Sequence, residues 1–563
     1  MNMHLLQGVL SVLIPLLVTP IFVQAKPSAQ IQFTYAPSSQ LLATSYNDWD
    51  LLRAPSANST GQWIFDNANS FLKLWPNTRL RNGHSLVPGV IPTGTLLYHG
   101  TDANQLPNEP EWASVDPEHS YLFCSVFNVK ECWHVTLVVT SPLKILYLDG
   151  NGAAKMWGGS MDSQDILVWG GIQPNRTFDE YPRIADMCKW GKDYGIHAFV
   201  RMEMDFEVML CDFTTNLEVT SLLRLKSAEL GISPHPAAFE PDRVLEAGHW
   251  HDRYPSEQRI KLDYTRFISF YDTSLFPSLN LHRKGQERWD HRLKDITPDE
   301  LDTLHKTLAE NLRGEDWGVP RSGVDWPTLL MTVEQRYSER LSVLRYILLD
   351  LAIKPERKLE DVLKQAHRHI RDMIRPYLLE FVHPTHSSRR SGDPQMTSDL
   401  QWAAPAFEEC ATNHIRYLEK PSVFSRLSHS EKLLLGATRE TLTEICRVLV
   451  GMWAEGTERE LSGHPGSHLS REDSSSMTGI QWLNLADSWR SRTQGLMDWL
   501  DWSHWATCQP ACSFEEMCSL PTWPRFKHWP QPVPNENNTE HIPQPGPDDD
   551  WYHPTPKCIR RME

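Results

Sequence analysis

Several features that would mark common protein classes are scarce or missing in this 563-residue chain. Basic residues are outnumbered, with 55 Lys and Arg against 71 Asp and Glu and a formal net charge of −16. A general nucleic-acid binder or a binder of anionic membranes needs a basic surface, so the charge argues against both classes. No Gly-x-Ser-x-Gly elbow, His-Glu-x-x-His helix or Gly-x-Gly-x-x-Gly loop occurs, which disfavours common serine hydrolases, zinc proteases and Rossmann enzymes. No internal repeat is present.

Long apolar runs are also missing, except at the N-terminus, which reads MNMHLLQGVLSVLIPLLVTPIFVQAK. The small-residue pattern Val23-Gln24-Ala25 before Lys26 predicts a signal peptide over residues 1–25 and entry into the secretory pathway. Because no Lys or Arg precedes the apolar run, an uncleaved membrane anchor is the alternative prediction. The mature chain is predicted to have no membrane span.

Ten cysteines are present, an even number of the kind that a disulfide framework requires in a secreted protein. The expected pairs are Cys124 with Cys132 and pairs within the tail cluster of Cys508, Cys512, Cys518 and Cys558. A zinc site formed by the first three tail cysteines is the alternative to disulfides there.

Three glycosylation sequons begin at Asn58, Asn175 and Asn537. Each sequon alone is a weak signal, because the three-residue pattern arises by chance. Together with the leader and the even cysteine count, the sequons predict a secreted glycoprotein.

Composition divides the rest of the chain into three parts. Residues 26–285 combine strand patterns, such as GTLLYHGT and WHVTLVVTSPLKILYLDG, with the helix pattern FDEYPRIADMCKWGKDYG, which predicts an α+β domain. Residues 286–507 carry apolar residues at helical spacing and capping boxes at Thr297–Glu300 and Ser428–Glu431, which predicts an α-helical domain. Residues 508–563 are rich in Cys and Pro and predict a disulfide-tied tail.

The stretch RMEMDFEVMLCDF, residues 201–213, is predicted to be a strand. With a period of two it places Arg201, Glu203, Asp205 and Glu207 on one face. Neighbouring carboxylates would lie about 6.5 Å apart and repel by roughly 2.5 kcal/mol at an effective dielectric constant of about 20. They therefore need solvent, cations such as Arg201, a metal or a positively charged reaction centre. A half-exposed strand with a solvated polar face is the alternative explanation.

Three segments, GTLLYHGT, EWASVDPEHSYLF and DFEVML, resemble in this order the short motifs of the ADP-ribosyltransferase fold. The resemblance implies an enzyme that cleaves NAD or a related N-glycoside. Its catalytic residues would be His99, Tyr121 and Glu207, with Tyr121 or Phe123 lying against the nicotinamide. A fixed Glu207 carboxylate would stabilise the positive charge that develops when the glycosidic bond breaks.

The same resemblance implies a cofactor site. His99 and Gly100 would hold the ribose and the nicotinamide amide of NAD, and Ser114 would take the role of the second motif. NAD is predicted as a cofactor only under this hypothesis, and otherwise the cofactor is unknown.

The segments EWASVDPEHSYLF, GGSMDSQDILVWGG, FEVMLCDF and CSFEEMCSLPTWP resemble a family of secreted ascomycete fungal proteins without an assigned activity. This resemblance spans most of the chain and implies the compartment. Two hypotheses follow. The first is a secreted glycoprotein that acts through interactions, with a protein or the cell wall as its partner. The second is the ADP-ribosyltransferase-like enzyme.

Two aromatic patterns allow a functional or a packing interpretation. His249 and His251 would share one face of a strand and could bind a metal, but no third ligand is identifiable, so a packed or exposed pair is favoured. Tryptophans near the C-terminus could form a carbohydrate- or partner-binding surface, although their helical spacing favours a place in the core. These residues are Trp482, Trp489, Trp499, Trp502 and Trp505.

Overall fold

The structure is a computed structural model in which defined parts of the chain are described. The described residues are 49–125, 132–225, 241–314, 322–353, 358–384, 400–459, 479–522 and 553–561, apart from 157, 203 and 381, together with 317, 461, 533–534 and 540–541. The predicted signal peptide and Asn537 lie outside these residues.

A mixed ten-stranded sheet is built from strands that precede residue 270. Its strands are β1 (Ser85–Ile91), β2 (Leu96–Thr101), β3 (Glu111–Ser114), β4 (Cys132–Val139), β5 (Leu143–Leu148), β6 (Ala198–Met202), β7 (Phe206–Leu210), β8 (Leu217–Leu225), β9 (Lys261–Leu262) and β10 (Ile268–Ser269). The strand order is β10-β1-β5-β6-β7-β3-β2-β4-β8, with β9 beside β1. Only the β5–β6 pair is parallel.

Helices pack against this sheet and dominate the described chain after it. They are α1 (Gly61–Ser70), α2 (Leu74–Thr78), α3 (Pro117–Ser125), α4 (Asp162–Trp169), α5 (Glu180–Lys192), α6 (Pro241–Gly248), α7 (Pro277–Arg283), α8 (Pro298–Leu312), α9 (Trp326–Ile353), α10 (Leu359–Ile374), α11 (Ala404–Thr412), α12 (Pro421–Phe424), α13 (His429–Glu458) and α14 (Gly479–Leu500). The described residues therefore form an α+β structure followed by a helical region, as predicted. None of the described helices is long and apolar enough to cross a membrane.

The two faces of the sheet bury different helices. On one face, Leu146, Phe199 and Met209 join a core with residues of α4, α5 and α8. On the other face, Val200 and Val208 join a second core that continues through α1 into the helices α9 to α14. The sheet and the later helices thus share one apolar core, while the domain limits at 285 and 507 stay predictions from composition.

Local signals in the sequence explain where several helices begin and end. Thr297 and Ser428 each form a complete capping box, with Glu300 and Glu431 respectively, at the starts of α8 and α13. These contacts satisfy N–H groups that have no partner within the helix. Gly195 follows α5 with φ at +67°, a conformation that favours glycine. All three signals confirm the predictions from sequence.

The acidic stretch at residues 201–213 forms a hairpin, so the prediction of one continuous strand there is wrong. β6 ends at Met202, the chain turns, and β7 begins at Phe206. Arg201 therefore lies directly opposite Glu207 on the neighbouring strand, and Asp205 lies in the turn. Glu203 falls outside the described residues.

Disulfides join segments of the sheet, the helices and the tail. Their pairs are Cys188–Cys211, Cys410–Cys446, Cys508–Cys518 and Cys512–Cys558. The tail also contains the strand pairs β11 (Glu516–Ser519) with β14 (Lys557–Arg560) and β12 (Val533–Pro534) with β13 (Glu540–His541). Cys132 is also disulfide-bonded, whereas the side chain of its predicted partner Cys124 lies outside the described part of the chain. The structure thus pairs the tail cysteines as disulfides, and the Sγ atoms of Cys508, Cys512 and Cys518 lie within 4.8 Å of one another.

Candidate functional site

One row of side chains crosses four neighbouring strands of the sheet. Tyr98 lies opposite Ser114, Ser114 lies opposite Glu207, and Glu207 lies opposite Arg201. Residues that are directly opposite in adjacent strands share a face of the sheet. The structure therefore brings together Ser114 and Glu207, two of the residues that the transferase resemblance selected.

His99 lies on the opposite face of the sheet from this row. It follows Tyr98 on β2, so its side chain points to the other side, where its ring packs edge-on against Phe213. The His99 Nδ1 atom lies 2.7 Å from the backbone oxygen of Trp112. Burial lowers the pKa of His99 to about 4, so the imidazole is neutral at physiological pH. The sheet thus separates His99 from Glu207.

The remaining residues predicted from the sequence lie on the sheet, on α3 and in exposed segments. Gly100 follows His99 on β2 and is buried, and Tyr121 is half-buried on α3. Ser114 is buried and its hydroxyl donates a hydrogen bond to the backbone oxygen of Asp116. The sequon residues Asn58 and Asn175 are both exposed.

The Glu207 carboxylate is held by a buried arginine. The Arg201 Nε atom lies 2.6 Å from Glu207 Oε1, and the same guanidinium pairs with Glu180 and donates to Gln164. Burial by itself lowers the pKa of Arg201, but Glu180 and Glu207 outweigh burial and raise it. Burial raises the pKa of Glu180, but Arg201 and Lys155 outweigh that effect and lower it. Ion pairing with Arg201 therefore accounts for the Glu207 carboxylate without a reaction centre.

A second group of charged residues gathers at the end of β3 and β7. Asp116 follows β3, Asp205 lies in the β6–β7 turn, and His251 belongs to the short 3-10 turn His249–His251. The His251 Nε2 atom lies 2.8 Å from Asp205 Oδ1 and 3.9 Å from Asp116 Oδ2. All three residues are buried. Ligand atoms of the three lie within 4.8 Å of one another, a spacing that could hold a metal ion.

Two further residues support this cluster, which we call the Asp116–Asp205–His251 cluster. The Glu257 Oε2 atom lies 3.2 Å from His251 Nδ1. Arg259 bridges Glu257 and Asp116 through its two terminal nitrogens, at 2.6 and 2.9 Å. Burial raises the pKa of Asp116 to about 6 against the opposing effect of Arg259. Burial lowers the pKa of His251, but Asp205 and Glu257 outweigh burial and raise it to about 10.

Sequence reasoning named His251 and Asp205 separately, Asp205 among carboxylates for which a metal was one possible partner, and missed Asp116 as a ligand. His251 was recognised as half of a histidine pair, without a third ligand. Its partners Asp116 and Asp205 lie 135 and 46 positions earlier in the chain, and no local pattern connects them to it. The sequence signal for the two aspartates is their position: each lies within or just after a predicted strand that has polar residues on one face.

A cavity of about 470 Å³ lies apart from the sheet, among α1, α7, α13 and α14. Its volume falls in the range of about 300–1,000 Å³ that small-molecule sites occupy. Two tryptophans, Trp63 and Trp499, line it together with the amides of Asn280 and Gln286. Gly495 of α14 also lines it, and a Cβ atom added there would meet no other atom within 4 Å. The cavity is therefore open at a helix position that carries no side chain.

The wall of the cavity is partly fixed by other contacts. The Trp63 ring packs against Tyr271 and His291, with ring centroids 5.2 and 4.7 Å apart. Glu444 accepts two hydrogen bonds from Arg447, each 2.6 Å long. Of the tryptophans singled out in the sequence, Trp489 and Trp502 are buried in the core, whereas Trp499 is half-buried and faces the cavity.

Comparison with known proteins relates the sheet part of the chain to fungal proteins. Residues 45–132 and 128–239 match the family described as the YPL277C N-terminal domain. Uncharacterized protein YOR389W of Saccharomyces cerevisiae is 33% identical over 215 residues, covering 30% of this chain and 34% of the relative. Uncharacterized protein YPL277C of the same yeast is 32% identical over 216 residues, covering 30% of this chain and 43% of the relative. The chain thus spans less than half the length of each relative that it matches.

No solved structure matches this chain, so the ADP-ribosyltransferase resemblance stays a prediction from three short motifs. The similarity to uncharacterised fungal proteins agrees with the fungal resemblance predicted from the sequence. The matched ranges include Asp116 and Asp205 and end before His251. The names of the relatives assign no activity, so the function must be argued from the geometry of this chain.

Proposed function

We propose that the protein is exported as a disulfide-cross-linked glycoprotein and acts by binding a carbohydrate in the cavity lined by Trp63 and Trp499. Export is supported by the disulfides, because such bonds persist in oxidising compartments and are rare in the cytosol. No described cysteine is free. The exposed sequon residues Asn58 and Asn175 are accessible to glycosylation in that compartment.

The lining of the cavity carries the binding part of the proposal. A sugar ring presents a flat face of C–H groups and a rim of hydroxyls. Trp63 and Trp499 offer apolar rings to the face, and the amides of Asn280 and Gln286 offer both donors and acceptors to the rim. A cell-wall glycan fits this chemistry and agrees with a cell-wall partner for a fungal export product.

A glycan attached to Asn58 could also occupy the cavity. It lines the cavity, so a glycan attached to its side chain would begin at the edge of the cavity. The cavity would then hold either the protein's own glycan or a free one. The variant Asn58→Gln separates the two sources, because it removes the attached glycan and leaves Trp63 and Trp499 in place.

Export is tested by expressing the full chain in a yeast host and separating medium, membranes and cytosol. We expect the protein in the medium, with a loss of mass after glycosidase treatment that shrinks in Asn58→Gln and in Asn175→Gln. Retention in the membrane fraction would favour the uncleaved anchor. An unglycosylated cytosolic product with free thiols would contradict the proposal.

Binding is tested with soluble β-glucan, chitin and mannan fragments by calorimetry. We expect saturable binding of at least one class, a loss of at least tenfold in affinity in Trp499→Ala, and a comparable loss in Gly495→Leu, which would fill the cavity. Gly436→Leu is the matched control, since Gly436 is an exposed helical glycine with open space around it. Equal affinity of wild type and Gly495→Leu would overturn the assignment of the cavity.

The proposal does not extend to cleavage of NAD. His99 and Glu207 lie on opposite faces of the sheet, and the Glu207 carboxylate is paired with Arg201. No observation favours a shared pocket for the residues that the transferase resemblance selected.

A further inference from the structure

We propose that Asp116, Asp205 and His251 bind one divalent transition-metal ion, with Zn²⁺ or Mn²⁺ as the best match, and that this ion cross-links three segments of the sheet part. The inference is independent of the carbohydrate cavity. It rests on the closeness of the donor atoms, on a buried carboxylate oxygen without a hydrogen-bond donor, on the charge of the cluster and on the residues that hold the donors in place.

The donor atoms of the cluster lie close enough for one ion to reach all three. Ligand atoms of Asp116, Asp205 and His251 lie within 4.8 Å of one another, and the His251 Nε2 atom lies 2.8 Å from Asp205 Oδ1. Two ligands of one ion with bonds of about 2.1 Å are separated by about 3.0–3.4 Å. His251 and Asp205 would therefore move apart by a few tenths of an ångström when an ion replaces their direct ion pair.

The carboxylate of Asp205 gives a second indication. Asp205 is fully buried, and its Oδ2 atom has no hydrogen-bond partner among the described residues. A buried carboxylate oxygen without a donor costs free energy unless a cation compensates it. The His119 Nδ1 atom lies 4.0 Å from this oxygen, outside hydrogen-bond distance.

The charge of the cluster also matches a divalent ion. Three carboxylates, those of Asp116, Asp205 and Glu257, face one guanidinium, that of Arg259. A metal ion would displace the proton that His251 carries in its ion pairs with Asp205 and Glu257, and the group without that proton has a charge of −2. One divalent cation would therefore make the net charge of the buried group zero. Charges inside a protein are costly unless opposite charges compensate them.

Glu257 occupies the place of the outer carboxylate that commonly orients a metal-binding histidine. Its Oε2 atom lies 3.2 Å from His251 Nδ1, on the side of the ring away from Asp205. Such a carboxylate accepts the second ring N–H and directs the other nitrogen at the metal. Arg259 pairs with both Glu257 and Asp116, so it holds the carboxylate beside His251 and one of the three ligands in place.

The types of ligand atom indicate which metal ion would bind, and their positions indicate what it would do. Two carboxylate oxygens favour hard ions such as Mn²⁺, and an imidazole nitrogen favours Zn²⁺ and its neighbours. Because the ligands are buried and come from the β3–α3 connection, the β6–β7 turn and the His249–His251 turn, the ion would serve as a structural cross-link. The described cysteines are all in disulfides, so no described thiolate competes for it.

The experiment uses the full chain, produced without a histidine tag and dialysed against EDTA. We titrate it with ZnCl₂ and, separately, with MnCl₂, following the heat of binding and the thermal unfolding temperature. We expect one equivalent of at least one metal to bind and to raise the unfolding temperature. No saturable heat and no shift with either metal would overturn the proposal without any variant.

Variants then locate the site. Asp116→Asn and Asp205→Asn should abolish binding of the one equivalent, and Glu257→Gln should weaken it about 10- to 100-fold. Asp272→Asn is the matched control, because Asp272 is a buried aspartate that pairs with His429 at 2.7 Å in an aligned hydrogen bond and has no role in the cluster. Wild-type metal affinity in Asp116→Asn, which lies at the edge of the site, would overturn the assignment even if Asp205→Asn fails to fold.

Discussion

The sheet part and the helical part of this molecule bury polar groups in different ways. The sheet part encloses charged side chains within its interior, such as Arg183, Arg201 and Asp205. In the described residues of α9 to α14, the buried polar side chains are hydroxyls, His367 and two glutamates. One of those glutamates, Glu431, caps α13, and the other, Glu444, pairs with Arg447.

This difference suits the two parts to different roles, a specific binding site in the sheet part and stability in the helical part. Buried charges are costly unless they are paired and hydrogen-bonded, whereas an apolar helix core with local caps mainly supplies stability. The sheet part therefore carries the proposed metal site. The helical part provides the rigid wall of the proposed carbohydrate cavity, in which the half-buried Trp499 is anchored against the core.

The largest expected effect tests the buried ion pairs of the sheet part. Arg201→Met leaves Glu207 and Glu180 without their shared cation, and we expect a loss of about 3–5 kcal/mol in the free energy of unfolding. The double variant Arg201→Met with Glu207→Leu should recover part of that loss, because it also removes one of the stranded charges. Urea unfolding measures both. A loss below about 1 kcal/mol for the single variant would mean that the pair is solvated and the contrast with the helical part is false.

The second prediction uses pH to measure the burial of His99. The pKa of His99 falls from an ordinary value of 6.5 to about 4 in the folded protein. As the pH drops below 6.5, the unfolded chain therefore takes up a proton that the folded chain does not. Stability from this residue is present above about pH 6.5 and is lost as the pH falls from there to about 4.

The matched comparison for this effect is His99→Asn, which cannot titrate. Between pH 7.5 and pH 5, the wild type should lose about 2 kcal/mol more than the variant in the free energy of unfolding. The difference between the two proteins cancels the contributions of other histidines. Parallel pH profiles would show that His99 reaches solvent in the folded state.

A smaller effect tests the local caps of the helical part. Ser428→Ala removes the hydroxyl that accepts the Glu431 N–H at the start of α13 and that donates to Thr265 O. We expect a loss of about 1 kcal/mol in the free energy of unfolding. Ser425→Ala, an exposed serine just before the cap, should stay within about 0.5 kcal/mol of the wild type. Equal effects of the two variants would argue against the cap.

The smallest effect distinguishes open from crowded glycines in the helices. Gly495→Ala adds a Cβ atom into open space and should raise the free energy of unfolding by about 0.5–1 kcal/mol, since alanine is the better helix former. Gly456→Ala in α13 should lower it, because its Cβ atom would overlap the buried ring of His367. Thermal unfolding measures the stability of both glycine variants relative to the wild type. The same sign for both would contradict the packing described around these helices.

The parts of the fold that were predictable from sequence depend on signals that act within a few residues. The strand at GTLLYHGT, the capping boxes of Thr297 and Ser428, and the glycine after α5 all agree with the structure. The turn between Met202 and Phe206 was missed, because alternation of polar and apolar residues continues through it without a Gly or Pro to mark it.

The candidate sites needed the tertiary structure. The sequence by itself determined the acidic charge, the α+β order of elements and the helix ends, since these follow from composition and from contacts between near neighbours. Strand register decided that Arg201 faces Glu207 and that His99 does not. Packing decided that His251 meets Asp116 and Asp205. These contacts join residues that are far apart in the sequence. They depend on how the whole core packs, so no pattern of neighbouring residues predicts them.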